Sequence, residues 1–211
     1  MVMSQKDVGN KIPIYKLKKT DEVMKYYDEW GIGNKYDKDM EEWNYTGPKE
    51  TSKILNKYAK EKNINIYDAG CGTGLVGLEL KKLGFKNFYG ADLSQKLLDL
   101  VPKGLYKTLE KADLNKPINK KNNLYDAVMC VGTFTFGHVK PNALDEFIRI
   151  TNNKGLICFT INEGIHEEYG FDKKIEQLNK NNLWKEIEFF KSDYIASKDV
   201  NAWLGIYEVT K

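Results

Sequence analysis

Arginine is all but missing from this chain. Of 33 basic residues one is Arg149 and the other 32 are lysine. Proteins that read nucleic acid rely on guanidinium forks for bidentate contacts to bases and phosphates. Dispersed lysines facing 30 acidic residues, at a formal net charge of +3, describe a solvated surface instead, so nucleic acid is not an expected partner. Cysteine is scarce too: Cys71, Cys130 and Cys158 show no CxxC spacing. That excludes a disulfide framework or a zinc site and suits a reduced, cytoplasmic setting. No run of 18 apolar residues occurs, so no membrane-spanning helix is expected. Met1–Lys19 has lysines but lacks the apolar stretch of a secretory leader. Internal repeats, low-complexity tracts and interdomain linkers are absent as well.

What is present fits one ordinary domain. The 211 residues are 41% hydrophobic and include four Trp, 13 Tyr and nine Phe, enough to bury a real core without staples. A monomer is the expected state. From Asp21 to Asn63 the pattern is helical and aromatic-rich, with Pro48 suited to the first turn of a helix through Ile54, Leu55 and Tyr58. From Ile64 onward, apolar runs at 64–68, 87–92, 105–112, 124–131 and 156–161 alternate with helical segments near 75–83, 95–101, 142–150 and 172–178. Such alternation implies right-handed βαβ units and a parallel sheet. Two closing runs, 183–190 and 202–210, are joined by a loop over 191–201 too short for a crossover helix, which predicts an antiparallel hairpin. The expected fold is α/β: a Rossmann-like, doubly wound, seven-stranded sheet over 64–211, preceded by an N-terminal helical lid over 1–63.

The sharpest signal is Asp68-Ala-Gly70-Cys71-Gly72-Thr-Gly74-Leu-Val-Gly77, which follows a strand and opens a helix. That is the context a nucleotide-binding glycine loop requires, because a Cβ would block the tight turn and close approach to a ligand. Two cofactors fit. In one register, Gly72-x-Gly74-x-x-Gly77 with Asp92 twenty residues on satisfies the dinucleotide fingerprint of an NAD(P)-dependent oxidoreductase. In the other, Asp68-x-Gly70-x-Gly72-x-Gly74 is the pattern used for S-adenosylmethionine. A pyrophosphate would bring negative charge close to Asp68, at about 4 kcal/mol for like charges about 4 Å apart with an effective dielectric of 20. The ammonium and sulfonium of S-adenosylmethionine would be attracted there, so Asp68 favours the methyl donor.

Other strand ends agree, since ligands of open α/β sheets gather at the carboxyl ends of strands. Asp92 can accept two ribose hydroxyls. Asp113 can accept from an adenine amino group, with Leu93 and Leu114 as apolar covers, and Gly132 ends the fourth strand. On these residues the chain resembles the class I S-adenosylmethionine-dependent methyltransferases: the Asp68–Gly74 loop matches their first motif, Asp92 their second and Ala112-Asp113-Leu114 their adenine loop. Lys154-Gly155 stands where many members have Gly-Gly. Tyr27-Asp-x-Trp30, Tyr36-Asp37, Tyr45-x-Gly-Pro48 and Gly132-Thr-Phe-Thr-Phe-Gly-His138 are similar to the methyltransferase-like proteins named for the Williams–Beuren syndrome chromosome region. The resemblance implies the fold, the donor and methyl transfer; it implies no acceptor. A non-catalytic donor-binding protein would carry the same motifs.

For the acceptor, a small molecule ahead of a protein side chain, alignment and exclusion of water are the main demands. The aromatics between Tyr26 and Tyr45 suit a lid, with Trp30 and Tyr36 as the donor-contacting pair. His138 is the candidate base, since an ordinary histidine pKa near 6.5 suits proton removal. Glu163 and His166 are weaker candidates, Asp126 reads as structural, and Tyr169-x-x-x-Lys173 mimics a dehydrogenase spacing without its glycine pattern.

Overall fold

The structure, a computed structural model, describes residues 11–17 and 19–211. The segment Met1–Lys19, in which no secretory leader is expected, therefore lies mostly outside the described residues. Helices α1 (Thr20–Trp30), α2 (Lys35–Glu42) and α3 (Gly47–Tyr58) come first. They are followed by β1 (Asn65–Ala69), α4 (Leu75–Lys82), β2 (Asn87–Asp92), α5 (Gln95–Leu98), β3 (Thr108–Lys111) and β4 (Tyr125–Phe134). Then come α6 (Ala143–Ile150), β5 (Thr151–Asn162), α7 (Phe171–Lys180), β6 (Trp184–Ile195) and β7 (Val200–Val209).

Seven strands form one sheet in the order β3-β2-β1-β4-β5-β7-β6. β1 pairs in parallel with β2 and β4, β2 with β3, and β4 with β5; β7 runs antiparallel between β5 and β6. The strand order reverses between β1 and β4, so the crevice beyond their carboxyl ends is where this architecture binds ligands. The central strands are buried on both faces, as a parallel sheet covered by helices requires. In β1 the alternation sends Tyr67 and Ala69 into one apolar layer and Ile66 into the other, beside Leu55 of α3 and Leu80 of α4.

Helix α3 starts with Pro48 in its first turn and packs on the sheet, while α1 and α2 lie over its carboxyl edge. The hairpin differs from expectation in length: β6 runs on to Ile195 and β7 begins at Val200, leaving only the short turn Ala196–Lys198 between them. Polar residues such as Lys191, Ser192 and Asp193 hid this extension, because the hairpin end is solvated on one face. The lone arginine is structural. Its guanidinium donates to both Glu146 carboxylate oxygens and to the carbonyls of Ile118 and Lys120, tying the loop after β3 to α6. Asp126, read as structural, accepts from the Asn65 N–H and from the Asn152 amide. No described helix is long and apolar enough to cross a membrane.

Candidate active site

A cavity of about 710 Å³, open solvent at its mouth included, lies beyond the carboxyl ends of β1, β2, β3 and β4, where ligands of open α/β sheets gather. Each strand end contributes to it. After β1 come Gly70 and Gly72; after β2, Asp92, Leu93 and Ser94; after β3, Asp113 and Leu114; from β4 and its loop, Gly132, Thr133 and His138. Tyr27 of α1 and Tyr36 of α2 close it from above. Nine of the sequence-predicted residues thus share one wall: Gly70, Gly72, Asp92, Leu93, Asp113, Leu114, Gly132, Tyr36 and His138.

Four predicted residues do not line it. Gly74 takes a left-handed φ of +93° at the start of α4. Cys71 is buried behind the loop and lines a small neighbouring pocket with Gly72. Trp30, the last residue of α1, lines the neighbouring aromatic pocket and donates its indole N–H to Asp39 at 2.6 Å. Asp68 is the instructive case. Strand alternation turns it to the face shared with Ile66, where Tyr106 donates to Oδ2 at 2.5 Å while accepting the Gly77 N–H. Among the described residues its Oδ1 has no hydrogen-bond partner, and burial, reinforced by the Asp92 charge, pushes the carboxyl up to about 7 despite the Tyr106 hydrogen bond.

Gly70 has no substitute. At φ +82° an added Cβ would lie 2.1 Å from Thr133 Oγ1, which rests over the Ala69 carbonyl. Asp92 is held the same way by its surroundings: Oδ2 accepts the Gly72 N–H at 2.8 Å and Oδ1 the Ser94 N–H at 2.9 Å. Burial raises its pKa, and those backbone donors oppose the shift. The carboxylate is oriented, and each oxygen retains a lone pair for a further donor.

His138 reaches the cavity with both ring nitrogens engaged. A carbonyl only accepts, so Nδ1 donates to the Phe136 carbonyl at 2.6 Å; Nε2 therefore accepts the Tyr27 hydroxyl at 3.0 Å. Burial lowers its pKa to about 4. The imidazole is neutral at pH 7 and a poor proton acceptor, better suited to holding Tyr27 than to serving as a base. Glu163 instead pairs with Lys191 at 3.0 Å, and His166 packs at a tilt of 36° against both Trp203 and Phe189. Gly170, at φ +76°, caps α7 and leaves Tyr169 outside the helix that carries Lys173.

Two acids that the sequence marks only as neighbours of aromatics prove to be fasteners. Ser94 Oγ donates to Asp28 of α1 at 2.5 Å, and Thr73 Oγ1 donates to Asp37 of α2 at 2.6 Å. Both bonds tie the overlying helices to the loops that shape the cavity. Hydrogen bonds to charged groups contribute about 1.5–3 kcal/mol each. The double variant Asp28→Ala/Asp37→Ala is therefore expected to speed amide exchange in α1 and α2 by about 100-fold, with β1 and β4 unchanged. Unaltered exchange in α1 and α2 would show that these bonds hold nothing.

Comparisons with known proteins agree with this geometry. Residues 66–155 match the family described as a methyltransferase domain. Methyltransferase-like protein 27 from Homo sapiens is 27% identical over 186 residues, covering 85% of this chain and 74% of that protein. Among solved structures, the complex of the Haloferax volcanii Trm112 methyltransferase activator with its methyltransferase superposes with a TM-score of 0.64 at 16% identity, covering 88% of this chain and 98% of the other. The [4+2]-cyclase SpnF shares the fold at a TM-score of 0.60 and 12% identity, with 77% and 82% covered, so the fold by itself does not fix the reaction. Taken with the sheet order and the glycine loop at its switch point, the match over residues 66–155 and the similarity to Methyltransferase-like protein 27 support a class I S-adenosylmethionine-dependent methyltransferase.

Proposed function

We propose that the 710 Å³ cavity binds S-adenosylmethionine and that α1 and α2 close over it as a lid for methyl transfer to a small-molecule acceptor. Asp92 takes the ribose hydroxyls, Leu93 and Leu114 cover the adenine, Asp113 accepts from its amino group, and Gly70 and Gly72 leave room for the methionine end. When bound, the donor supplies a methyl group activated by a sulfonium. The observation that carries this reading is the Asp92 carboxylate, fixed by two backbone N–H groups at the mouth of a glycine loop and facing the cavity.

The charge of the loop supports the same donor. Asp68 and Asp92 flank it, and burial, with the Asp92 charge adding to it, raises the Asp68 pKa. A pyrophosphate would add negative charge there; a cationic donor relieves it. Tyr27, Tyr36 and the two fasteners cover the cavity from the side of α1 and α2, which favours a small acceptor. Incubation with methyl-labelled S-adenosylmethionine and fractionated metabolite and protein pools tests this. Label is expected in the low-molecular-weight fraction. Label confined to protein would overturn the acceptor class.

A further inference from the structure

Tyr27 and His138 both line the donor cavity, and a hydrogen bond joins them on its wall. The proton in that bond has one possible place. Nδ1 of the imidazole faces the Phe136 carbonyl at 2.6 Å, and a carbonyl only accepts, so Nδ1 carries the ring proton. Burial keeps the ring neutral at pH 7. Nε2 is therefore a bare lone pair, and Tyr27 donates to it across 3.0 Å. The Tyr27 oxygen keeps its lone pairs with its proton committed; among the described residues no other group donates to it. Burial also raises its pKa well above the usual phenol range, so it is no phenolate. The ring is fixed too, stacked on Trp30 at 6.0 Å and meeting Tyr36 and His138 edge-on at 6.0 and 5.4 Å.

Tyr27 shares the cavity wall with Gly132 in β4 and lies close enough to the Asp92 carboxylate after β2 to feel its charge. A donor with its ribose on Asp92 and its methionine end on Gly70 and Gly72 has its sulfur between those two anchors, beneath this stretch of wall. Resting on the donor reading above, we propose that Tyr27 recognises the sulfonium and its methyl group through the phenol oxygen, and that His138 is the positioning residue that keeps this oxygen an acceptor.

A hydroxyl free to rotate could turn its proton into the cavity, where a positive sulfur repels it. Commitment of that proton to Nε2 removes the wrong orientation. The remaining lone pairs attract the cation and the polarised C–H groups of its methyl. A neutral oxygen also suits methyl transfer better than an acid would. As the methyl carbon passes to an acceptor, the electron pair of the carbon–sulfur bond stays on sulfur and the positive charge there disappears. A carboxylate at this point would hold the reactant more tightly than the transition state. Asp28 and Asp37 of the overlying helices are turned instead to Ser94 and Thr73.

Calorimetric titration of the whole protein with S-adenosylmethionine, and with S-adenosylhomocysteine, which lacks the methyl group and the sulfur charge, tests both roles. Tyr27→Phe keeps the ring and removes the oxygen. It is expected to weaken S-adenosylmethionine about 10-fold and S-adenosylhomocysteine less than about 2-fold. His138→Leu removes the acceptor of the Tyr27 proton and should cause the same selective loss. His138→Gln, whose amide oxygen can take that proton, should keep most of the wild-type preference. The double variant Tyr27→Phe/His138→Leu should lose no more selectivity than Tyr27→Phe alone. Equal weakening of both ligands by Tyr27→Phe would mean a packing role and overturn the sulfonium contact, as would unchanged affinities. Selectivity intact in His138→Leu, or a further loss in the double variant, would overturn the positioning role. Wild-type protein that binds neither ligand would instead overturn the donor site, and this proposal with it.

Discussion

Asp92→Ala is expected to weaken S-adenosylmethionine binding by at least 100-fold. Two charge-assisted hydrogen bonds to ribose hydroxyls, at about 1.5–3 kcal/mol each, would be lost together. The same carboxylate also orders the Gly72 and Ser94 amides, so the loop that frames the methionine end loosens as well. Asp92→Asn keeps one acceptor oxygen and should fall between the two, near 10-fold. Folding is not expected to fail, because the buried carboxylate is itself costly; an unchanged melting temperature without ligand is the control. Wild-type affinity in Asp92→Ala would remove the ribose assignment.

The second large effect concerns pH, through two buried groups with opposite signs. Asp68 is raised from 3.8 to about 7 by burial, so between those values the folded chain holds a proton that the unfolded chain has released. Its contribution is present below pH 4 and lost as pH rises through 7, by about 4 kcal/mol. His138 is lowered from 6.5 to about 4 by burial. Its contribution is present above pH 6.5 and lost as pH falls toward 4, by about 3 kcal/mol. Asp92 shares the sign of Asp68, and Glu146, held down by Arg149, shares that of His138. Relative to wild type, Asp68→Asn should therefore gain stability progressively from pH 4.5 to 7.5, and His138→Gln should lose its acid sensitivity below pH 6.5. Urea unfolding across that range reads both differences directly. A profile for Asp68→Asn parallel to wild type would mean the carboxyl is not buried as described.

The succession of strands along the chain and the cavity wall were legible because each signal is local. A short apolar run reads as a strand, a glycine loop after it reads as a turn, and the acids that end successive strands fall at one edge once the sheet is parallel. The side chains that failed to reach the cavity failed for non-local reasons. Asp68 has the right position in its motif, but a single alternation in β1 turns it toward Tyr106, 38 residues away. Trp30 carries a motif resemblance, yet Asp39 draws its indole N–H away from the cavity. His138 looked like a base because its ordinary pKa is near neutral; the Phe136 carbonyl and Tyr27 hydroxyl that occupy its nitrogens could not be read from spacing. The Asp28–Ser94 and Asp37–Thr73 bonds join residues 66 and 36 positions apart, with no periodic pattern to announce them. The scarcity of arginine also acquires a structural meaning, since the one guanidinium is spent on five bonds that fasten a loop.

The most direct measurement is calorimetric titration of the wild-type chain with S-adenosylhomocysteine and, separately, with reduced nicotinamide cofactor. One site of micromolar or tighter affinity for S-adenosylhomocysteine, with no heat from the nicotinamide, is the predicted result. Silence toward S-adenosylhomocysteine at high micromolar concentration, or saturable binding of the nicotinamide instead, would contradict the assignment of the cavity to the methyl donor.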